Sequence, residues 1–532
     1  GDVLLDAARQ VGGRVAAQLS AATYKDYLQQ VWSERQRQVG DRRPFETFWH
    51  EALQRGGLWS DGGSRPVRLA ASVSGLAEPA TWRPRDGALT LMAYPSPAFH
   101  DGRGANRPWL QELPDPVTKI TWSTWVEIHP ETAAEHGISE GDHVEVVSDA
   151  GRITVPAYLH EGLRPDVVAI PVGQGHRHFG QYAAGRGANV RELLEAEPTA
   201  FGGAAHYASV ALRATGVHER LPKTEGSRRQ LGRSIAQAVS LQALAHADEG
   251  HEGEGEHGTH AAPVPEHIEH VLDEWQEAQY AEYKRGNYAG EQPRWAMAID
   301  LSKCTGCSAC VTACHAENNI PTVGPELVRR GREMSWIRIE RYFEGGHGDP
   351  LESRVLPMLC QHCSNAPCEP VCPVFAAYHT PDGLNAQVYN RCVGTRYCSN
   401  NCPYKVRYFN WFDHQRDGDP AFAWPEPLHW MLNPDVTVRA KGVMEKCTFC
   451  VQRIRDKQNQ ARLADRPLAD GEVVTACQQT CPSGAIVFGD LNDPGSRVSA
   501  LAADERGYHV LEDLNTRPAV TYLKKVRNLT EA

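Results

Sequence analysis

The first 303 of the 532 residues contain no cysteine, and the chain also lacks long apolar runs and an excess of basic residues. A disulfide-stapled scaffold of the small secreted type is therefore excluded for most of the chain. No stretch approaches roughly 18 consecutive apolar residues, so we do not expect the chain to span a membrane by itself. A net charge of −11 argues against nucleic acid as a partner and against an anionic lipid surface. The length predicts two or three domains.

All fifteen cysteines lie between Cys304 and Cys481, and they fall into four groups. The groups are Cys304-x2-Cys307-x2-Cys310-x3-Cys314, Cys360-x2-Cys363-x4-Cys368-x3-Cys372, Cys392-x5-Cys398-x3-Cys402, and Cys447-x2-Cys450 followed by Cys477-x3-Cys481. The first group has the spacing of bacterial ferredoxins, in which three thiolates bind one iron–sulfur cluster and the fourth binds its neighbour. The last cysteine of three groups is followed by proline, as in the same ferredoxin run. The spacing therefore predicts several iron–sulfur clusters.

Disulfides and zinc are the competing explanations for so many cysteines. An odd count would leave one thiol unpaired in a disulfide framework. Zinc sites favour pairs of cysteines separated by a longer gap, which the three closely spaced thiols of the first group do not match. Both alternatives are therefore disfavoured.

The third cysteine group is one thiolate short. Four 4Fe–4S clusters need sixteen thiolates, and this chain has fifteen. Thr395 occupies the position of a middle cysteine in the run from Cys392 to Cys398. Because a neutral hydroxyl is a far weaker iron ligand than a thiolate, Thr395 marks the vacant fourth ligand position of a 3Fe–4S cluster. The sequence thus predicts three 4Fe–4S clusters and one 3Fe–4S cluster.

The region before the cysteines contains two types of pattern. Residues 1–60 repeat apolar side chains at helix spacing and are interpreted as a helical remnant of a larger domain. Residues 61–235 are predicted to form strands. The predicted strands are Val67–Ala71, Leu89–Ala93, Trp125–Ile128, Asp142–Ser148, Arg152–Leu159 and Val167–Pro171, with a short helix over Pro130–His136.

This order of strands, short helix and hairpin resembles the C-terminal β-barrel of molybdopterin oxidoreductases. The resemblance implies a dinucleotide-binding-like barrel of the double-psi type. The loop segments His176-Arg177-His178 and Gly185-Arg186-Gly187 could contact a nucleotide phosphate, but basic loop residues are more often plain surface. We therefore expect the barrel to carry no molybdopterin.

Residues 236–290 contain several histidines among glutamates and glycines, and end in a predicted helix. They could sequester metal ions or form a solvated linker, and we favour the linker because nothing fixes a coordination geometry. Residues 291–532 are predicted to form a tandem ferredoxin-like domain, which makes the whole chain an α+β multidomain protein. Its insertion at 403–446 is rich in aromatic residues, which could form a small core or a docking surface for an apolar partner.

The segments Cys360-Gln-His-Cys363 and Cys402-Pro-Tyr404-Lys-Val-Arg407 resemble four-cluster subunits of polysulfide reductases, formate dehydrogenases, dimethyl sulfoxide reductases and nitrate reductases. The fusion of such a module to a molybdopterin-type barrel resembles the iron–sulfur subunit of bacterial alternative complex III. The N-terminal half of the molybdopterin-like region is absent. This difference from a single fused subunit implies one of two things. Either a split gene encodes that half as a companion chain, or the chain has been trimmed.

The resemblance also implies how the cysteines are shared among the clusters. The implied sets are Cys304, Cys307, Cys310 and Cys481; Cys314, Cys447, Cys450 and Cys477; Cys360, Cys363, Cys368 and Cys402; and, for the 3Fe–4S cluster, Cys372, Cys392 and Cys398. The crossing of Cys314 and Cys481 agrees with a fourth cysteine that serves the other cluster.

As a function, the resemblance implies electron transfer within a respiratory quinol oxidoreductase, with no substrate-converting site on this chain. A quinone-binding integral membrane subunit of the polysulfide-reductase type would supply electrons, and c-type cytochrome subunits would accept them. Because tyrosine and tryptophan suit a contact at the membrane boundary, we expect the aromatic insertion at 403–446 to dock that membrane subunit and to place the 3Fe–4S cluster nearest the quinol. The chain would lie peripherally on the periplasmic face of the cytoplasmic membrane. The alternative is an electron-transfer module of a molybdopterin-dependent reductase such as polysulfide reductase.

Overall fold

The computed structural model of the chain describes residues 1–59, 85–195, 205–247, 293–346, 349–419 and 422–528. The chain divides into two compact units, Gly1–Trp82 and Arg83–Ala532. The predicted strand Val67–Ala71 and most of the predicted linker, from residue 248 to residue 290, lie outside the described residues. No helix in the described ranges is both long and apolar enough to cross a bilayer.

The described part of the first unit is helical, as its periodicity predicts. Its helices are Asp2–Val11, Gly13–Gln18, Tyr24–Val39 and Phe45–Gln54. Thr23 caps the third helix, because its side chain accepts a hydrogen bond from the backbone of Asp26 while the Asp26 carboxylate accepts one in return. The ring of Trp32 packs against Phe48 and Trp49 between the last two helices, at centroid distances of 6.1 and 5.8 Å.

The second unit begins with a closed six-stranded barrel. Its strands are β1 (Leu89–Pro95), β2 (Val126–Ile128), β3 (Asp142–Val147), β4 (Arg152–Leu159), β5 (Val167–Val172) and β6 (Tyr207–His218). Around the barrel the order is β1-β5-β2-β4-β3-β6. The pairs β1–β5 and β2–β4 are parallel, and the other four pairs are antiparallel. Five of these strands were predicted within two residues at each end, together with the helix Pro130–Glu135.

Alternation of side chains explains the barrel core. In β3 the side chains of Val144 and Val146 are fully buried, while their neighbours are partly exposed. Ile153, Val155 and Ala157 of β4 contribute to the same core. A one-residue shift would expose this apolar set, so the alternation fixes the register.

The cysteine-rich part is organised around a central strand. β7 (Ala238–Ser240) precedes it, and β8 (Trp295–Asp300) is buried along its whole length. The remaining strands are β9 (Ile337–Gly346), β10 (Asp349–Leu359), β11 (Ala377–His379), β12 (Asn385–Gln387), β13 (Tyr408–Phe409), β14 (Met444–Glu445), β15 (Ile486–Asp490), β16 (Gly507–Tyr508), β17 (Val520–Leu523) and β18 (Lys525–Arg527). One sheet has the order β15-β8-β17-β16, β9 and β10 form a long hairpin, and β18 pairs with β7.

Short helices connect these strands and the barrel loops. Among the described residues of the second unit, the α-helices are Pro108–Gln111, Pro130–Glu135, Leu241–Ala247, Ala309–Glu317, Pro325–Arg329, Tyr397–Asn400, Val451–Leu463, Ala476–Thr480 and Arg497–Ala502. The 3-10 helices described there cover Val190–Leu193, Tyr389–Arg391, Leu428–Met431 and Glu512–Leu514. Three of the α-helices begin one residue before a cysteine, and Val451–Leu463 begins one residue after Cys450.

The barrel and the cysteine-rich part share buried polar contacts. The Glu112 carboxylate, from a barrel loop, accepts hydrogen bonds from the backbone N–H groups of Val323 and Gly324 at 2.8 Å and from Trp122 Nε1 at 3.1 Å. Burial raises the pKa of Glu112 to about 7, although the N–H donors oppose this shift. Arg341 is fully buried and pairs with Glu225 of the barrel part. These contacts join the two parts through specific polar groups.

We expect Glu112→Ala to lower the free energy of unfolding by about 2 kcal/mol, because three buried N–H donors would lose their acceptor. Urea unfolding of the anaerobically prepared protein, followed by tryptophan fluorescence, measures the change. Glu326→Ala is the matched control, since Glu326 lies beside the same segment with its side chain 72% exposed. Equal midpoints for the two variants would contradict the role given to Glu112.

Candidate iron–sulfur centres

Four turns with the same backbone geometry carry the leading cysteines. In each turn the third residue has a left-handed conformation. These residues are Gly306 (φ 71°), His362 (φ 44°), Gly394 (φ 73°) and Phe449 (φ 54°). They precede Cys307, Cys363, Thr395 and Cys450, respectively. Thr395 therefore stands at the end of a turn that elsewhere ends in a cysteine.

The first and third cysteine groups also share the backbone conformation of the residue that starts the following helix. Ser308, at φ 61°, is the N-cap of the helix Ala309–Glu317, and Arg396, at φ 62°, is the N-cap of the helix Tyr397–Asn400. Both Cys307 and Thr395 are exposed. Because the backbone repeats on both sides of them, Cys307 and Thr395 occupy equivalent positions in two copies of one local structure.

Three Cys-Pro turns form a second repeated feature. Phe375, Lys405 and Gly484 occupy the same position in these turns, with φ values of 50°, 53° and 63°. The N–H of Ala376 donates to Cys372 Sγ at 3.2 Å, and the N–H of Ala485 donates to Cys481 Sγ at 3.3 Å.

These backbone donors favour the thiolate form. Burial raises the pKa of Cys372 and Cys481. The backbone N–H groups around each sulfur, together with the Ser483 hydroxyl at Cys481, outweigh this effect, so the pKa of both thiols lies below the usual value. A Cys-Pro turn thus prepares a sulfur atom that can bind iron as a thiolate.

Electrostatic coupling shows which thiols lie near one another. Burial is the main cause of the raised pKa of Cys314, and the charges of Cys447, Cys450 and Cys477 add to it. The pKa of Cys304 is likewise raised by burial and then by Cys481 and Cys307.

The second group forms a similar neighbourhood. Burial raises the pKa of Cys363 and, in addition, Cys360, Cys402 and Cys368 act on it. These effects also cross the predicted sets, since Cys477 is the first thiol that acts on Cys310 and Cys360 is the first that acts on Cys447. The shifts therefore show that the cysteine groups lie near one another, and the division into ligand sets stays a prediction.

Two members of the fourth predicted set, Cys372 and Cys392, lie on segments joined by a backbone hydrogen bond. The N–H of Val388 donates to the carbonyl of Ala376 at 2.7 Å, which brings the segment before Cys392 next to the turn after Cys372. The N–H of Met444 donates to Cys392 Sγ at 3.4 Å. Burial is the largest influence on the pKa of Cys372, and backbone amides and Arg407 act against it. The fourth ligand set stays a prediction.

The donor set fits polynuclear clusters. All fifteen cysteines are free thiols. Cys360, Cys363, Cys368 and Cys402 line one pocket, together with Asn385, Tyr404 and Arg407. Four thiols around one pocket match the number of ligands that a 4Fe–4S cluster takes. In the described ranges, no three His, Cys, Asp or Glu side chains are arranged to hold a single metal ion.

Further N–H groups donate to the sulfur atoms of the other cysteines. These donors are Asn318 Nδ2 to Cys314 at 3.5 Å, Phe449 N to Cys447 at 3.4 Å and Ala476 N to Cys450 at 3.5 Å. Hydrogen bonds to the sulfurs are among the factors that set the reduction potential of an iron–sulfur cluster.

Two buried cations near the cysteines were not assigned a role from the sequence. Arg407 Nη1 donates to Cys368 Sγ at 3.5 Å, and Cys368 and Cys398 both help to raise the pKa of Arg407, against the effect of its burial. Lys446 is fully buried, and its Nζ donates to the carbonyl of Cys447 at 2.8 Å. A basic residue a few positions from a cysteine was the available signal, but only the folded chain shows that these cations are buried.

The aromatic insertion at 403–446 is largely internal. Tyr404 and Trp424 are buried, and four further aromatic side chains are partly buried: Tyr408, Phe409, Trp411 and Phe412. Phe409 packs edge-on against Trp411 at 4.8 Å, and the Arg396 guanidinium lies 4.7 Å from the Trp411 ring centroid. Trp430 and Met431 are exposed. Most of the insertion thus follows the small-core interpretation.

The basic barrel residues proposed as phosphate contacts do not form one cradle. The ring of His176 packs on Phe179 at 4.9 Å, and the Arg186 guanidinium lies 4.7 Å from the Trp122 ring centroid. Arg177 is 82% exposed. His178 is exposed as well, and Gly185 and Gly187 lie at left-handed φ values in the neighbouring loop. Because these groups do not converge, we assign no step to a pterin.

Comparison with known proteins agrees with the division of the second unit into a barrel and a cysteine-rich part. A molydopterin dinucleotide binding domain matches residues 101–211, a 4Fe-4S binding domain matches residues 295–316, and a 4Fe-4S dicluster domain matches residues 351–417. Acetylene hydratase from Pelobacter acetylenicus aligns structurally with 24% of this chain at 15% identity, and its TM-score of 0.20 is too low to show a shared fold.

Several relatives are similar over nearly their whole length. The iron–sulfur cluster-binding subunit of menaquinone reductase from Nitratidesulfovibrio vulgaris is 43% identical, over 44% of this chain and 89% of that protein. Iron–sulfur subunit 1 of the Hdr-like menaquinol oxidoreductase from Archaeoglobus fulgidus is 35% identical, over 44% of this chain and 84% of that protein. The iron–sulfur subunit of arsenate respiratory reductase from Shewanella sp. is 32% identical, over 43% of this chain and 96% of that protein.

These matches define the class as iron–sulfur proteins of oxidoreductase complexes. The chain belongs to the family of iron–sulfur electron-transfer subunits of quinone oxidoreductases and molybdopterin-type reductases. The relatives described above align with less than half of this chain.

Proposed function

We propose that this chain is the iron–sulfur subunit of a quinol oxidoreductase of the alternative complex III type. The observation that carries the proposal is the union of a molydopterin-binding-type barrel and a dicluster ferredoxin part in one compact unit. The mixed parallel and antiparallel pairing of the barrel supports a double-psi type. The buried contacts of Glu112 and Arg341 support a fixed arrangement of the two parts.

We infer three 4Fe–4S clusters and one 3Fe–4S cluster, with the ligand sets given by the family resemblance. Electrostatic coupling supports the crossing of Cys314 to Cys447, Cys450 and Cys477. The repeated backbone around Cys307 and Thr395 supports the vacancy in the fourth set. When bound, the clusters would supply one-electron transfer. The residues of this chain hold the sulfurs, exclude water and donate hydrogen bonds to them.

Exposed apolar side chains lie close in sequence to the fourth ligand set and support a docking surface there. Phe375, Val393 and Tyr397 are 72%, 65% and 55% exposed, and each lies within three residues of Cys372, Cys392 or Cys398. We call these three side chains the fourth-group face. Its proposed partner is the quinone-binding integral membrane subunit, which would deliver electrons from quinol, on the periplasmic side of the membrane. Electrons would leave toward c-type cytochrome subunits.

A second candidate is the electron-transfer module of a molybdopterin-dependent reductase. The match of residues 101–211 to a molydopterin dinucleotide binding domain favours it. In that case a companion chain would supply the rest of a cofactor site. Molybdenum in stoichiometric amount in the isolated complex would select this candidate, and its absence from an active quinol-oxidising complex would reject it.

Iron analysis and paramagnetic resonance test the proposed cluster content. The protein isolated anaerobically with its complex should contain about 15 non-haem irons per chain, and the oxidised protein should give one near-isotropic 3Fe signal at low temperature. Sixteen irons without that signal would refute the 3Fe–4S assignment. Addition of a quinol should reduce the clusters, and clusters that no quinol can reduce would refute the proposed direction of electron flow.

A further inference from the structure

We propose that Arg407 is a positioning residue for electron transfer between the third and fourth clusters. Its buried guanidinium donates to a sulfur ligand of one cluster, lies close to a sulfur ligand of the other, and thereby raises the reduction potential of both. The inference rests on the assignment, proposed above, of Cys368 and Cys398 to different clusters. It goes beyond that assignment by naming the group that links them.

The contacts of Arg407 are specific. The residue is 4% exposed, and its Nη1 donates to Cys368 Sγ at 3.5 Å and to Asn385 Oδ1 at 3.1 Å. Nη2 donates to Gln387 Oε1. Cys398 is also among the groups whose charge acts on this side chain. One guanidinium therefore donates to a sulfur of one predicted ligand set and lies close to a sulfur of another.

The charge of Arg407 has to be balanced by the sulfur ligands. The hydrogen-bond acceptors of its guanidinium are Cys368, Asn385 and Gln387, none of which is a carboxylate. A buried cation without a nearby anion is costly, so the negative charge of the bound thiolates and clusters would stabilise it.

The backbone also fixes where the guanidinium lies. Arg407 follows the Cys-Pro turn at Cys402, and its carbonyl accepts a hydrogen bond from Ser399 Oγ at 2.9 Å. Asn385 and Gln387, which hold two of its nitrogens, belong to strand β12. Three separate segments thus hold one side chain, and the planar fork of arginine can bind several acceptors at once in a way that lysine cannot.

The consequence for electron transfer follows from charge. In the proposed step, one electron leaves the reduced cluster at Cys398 and enters the oxidised cluster at Cys368, so the first is oxidised as the second is reduced. Arg407 keeps its proton throughout, because a guanidinium is not deprotonated in proteins. Its positive charge favours the reduced form of each cluster, since reduction adds a negative charge.

Redox titrations monitored by paramagnetic resonance, on the complete complex, test this role. Arg407→Gln should lower the midpoint potentials of the clusters at Cys368 and Cys398. We expect at least a tenfold change in the ratio of reduced to oxidised cluster, which is about 59 mV for a one-electron couple. The two other clusters should change less. Arg407→Lys should restore at least half of the shift.

Two further variants guard against a purely structural effect. Gln387→Glu places a carboxylate on Nη2 while arginine stays in place, and it should shift the same two potentials in the same direction. Arg338→Gln is the control, because Arg338 is also largely buried but contacts Glu340, Tyr408 and the Lys405 carbonyl. It should leave all four potentials unchanged.

The outcomes separate this inference from the assignment beneath it. Wild-type protein without a 3Fe signal would refute the cluster assignment. A normal wild-type spectrum, combined with unchanged potentials in both Arg407→Gln and Gln387→Glu, would refute only the role of Arg407. Equal shifts in Arg407→Gln and Arg338→Gln would refute it as well, because the effect would then not be specific to the sulfur contacts.

Discussion

Replacing Thr395 with cysteine should convert the 3Fe–4S cluster into a 4Fe–4S cluster. Thr395 follows Gly394, at φ 73°, in a turn whose three counterparts all end in a cysteine. A thiol at this position would meet the same backbone geometry as Cys307, and a thiolate binds iron far better than a hydroxyl. The near-isotropic 3Fe signal should disappear, and iron analysis should find one more iron per chain.

The same substitution should also slow electron entry. A 3Fe–4S cluster and a 4Fe–4S cluster differ in type and net charge, which are among the determinants of potential. We expect the potential at this site to fall enough to reduce the rate of electron transfer from quinol at least tenfold. Stopped-flow reduction of the clusters in the isolated complex measures this rate.

Thr395→Ser is the matched control, because it keeps a hydroxyl in the same place. It should retain the 3Fe signal and the wild-type rate. A Thr395→Cys variant with an unchanged signal and unchanged iron content would show that the vacancy lies elsewhere in the chain. The equivalence of Thr395 and Cys307 would then be a feature of the backbone without consequence for iron binding.

The elements that could be predicted from the sequence depend on local patterns. Strand β4 was predicted with both of its observed ends, because Arg152–Leu159 places Ile153, Val155 and Ala157 on one face. The cysteine turns could be located for the same reason, since spacing within one turn decides which sulfurs can share a cluster.

The elements that could not be predicted depend on distant partners. Strand β6 (Tyr207–His218) closes the barrel, but only two of its side chains are buried, so the alternation of buried and exposed residues is weak. The contact of Glu112 with Val323 joins residues 211 positions apart. The buried charge of Arg407 depends likewise on Asn385 and Gln387, which no local pattern connects to it.

The aromatic insertion shows where composition alone was ambiguous. Its aromatic side chains could have formed a core or a surface, and six of the eight apolar side chains considered from the sequence are buried or partly buried. Buried neighbours such as Arg338, which donates to Tyr408, decide this outcome. The exposed apolar area lies instead beside the fourth cysteine set, on residues that are not part of the insertion.

The double substitution Val393→Asp and Tyr397→Asp should therefore weaken binding of the membrane subunit at least tenfold. Both side chains are more than half exposed in the isolated chain and flank Cys392 and Cys398. In the proposed complex they would be buried against an apolar partner, where an unpaired carboxylate is costly. Co-purification of this chain with membranes, and the rate at which quinol reduces its clusters, should both fall.

The matched control is Leu463→Asp, at the end of the helix Val451–Leu463, where the side chain is 86% exposed and lies away from the fourth-group face in the sequence. It should leave membrane binding and quinol-driven reduction unchanged, while a chemical reductant should reduce the clusters of both variants equally. Wild-type binding by the double variant would place the membrane partner on another surface. Because the 3Fe–4S assignment depends on Thr395 and not on this face, that result would change the site of electron entry without changing the cluster content.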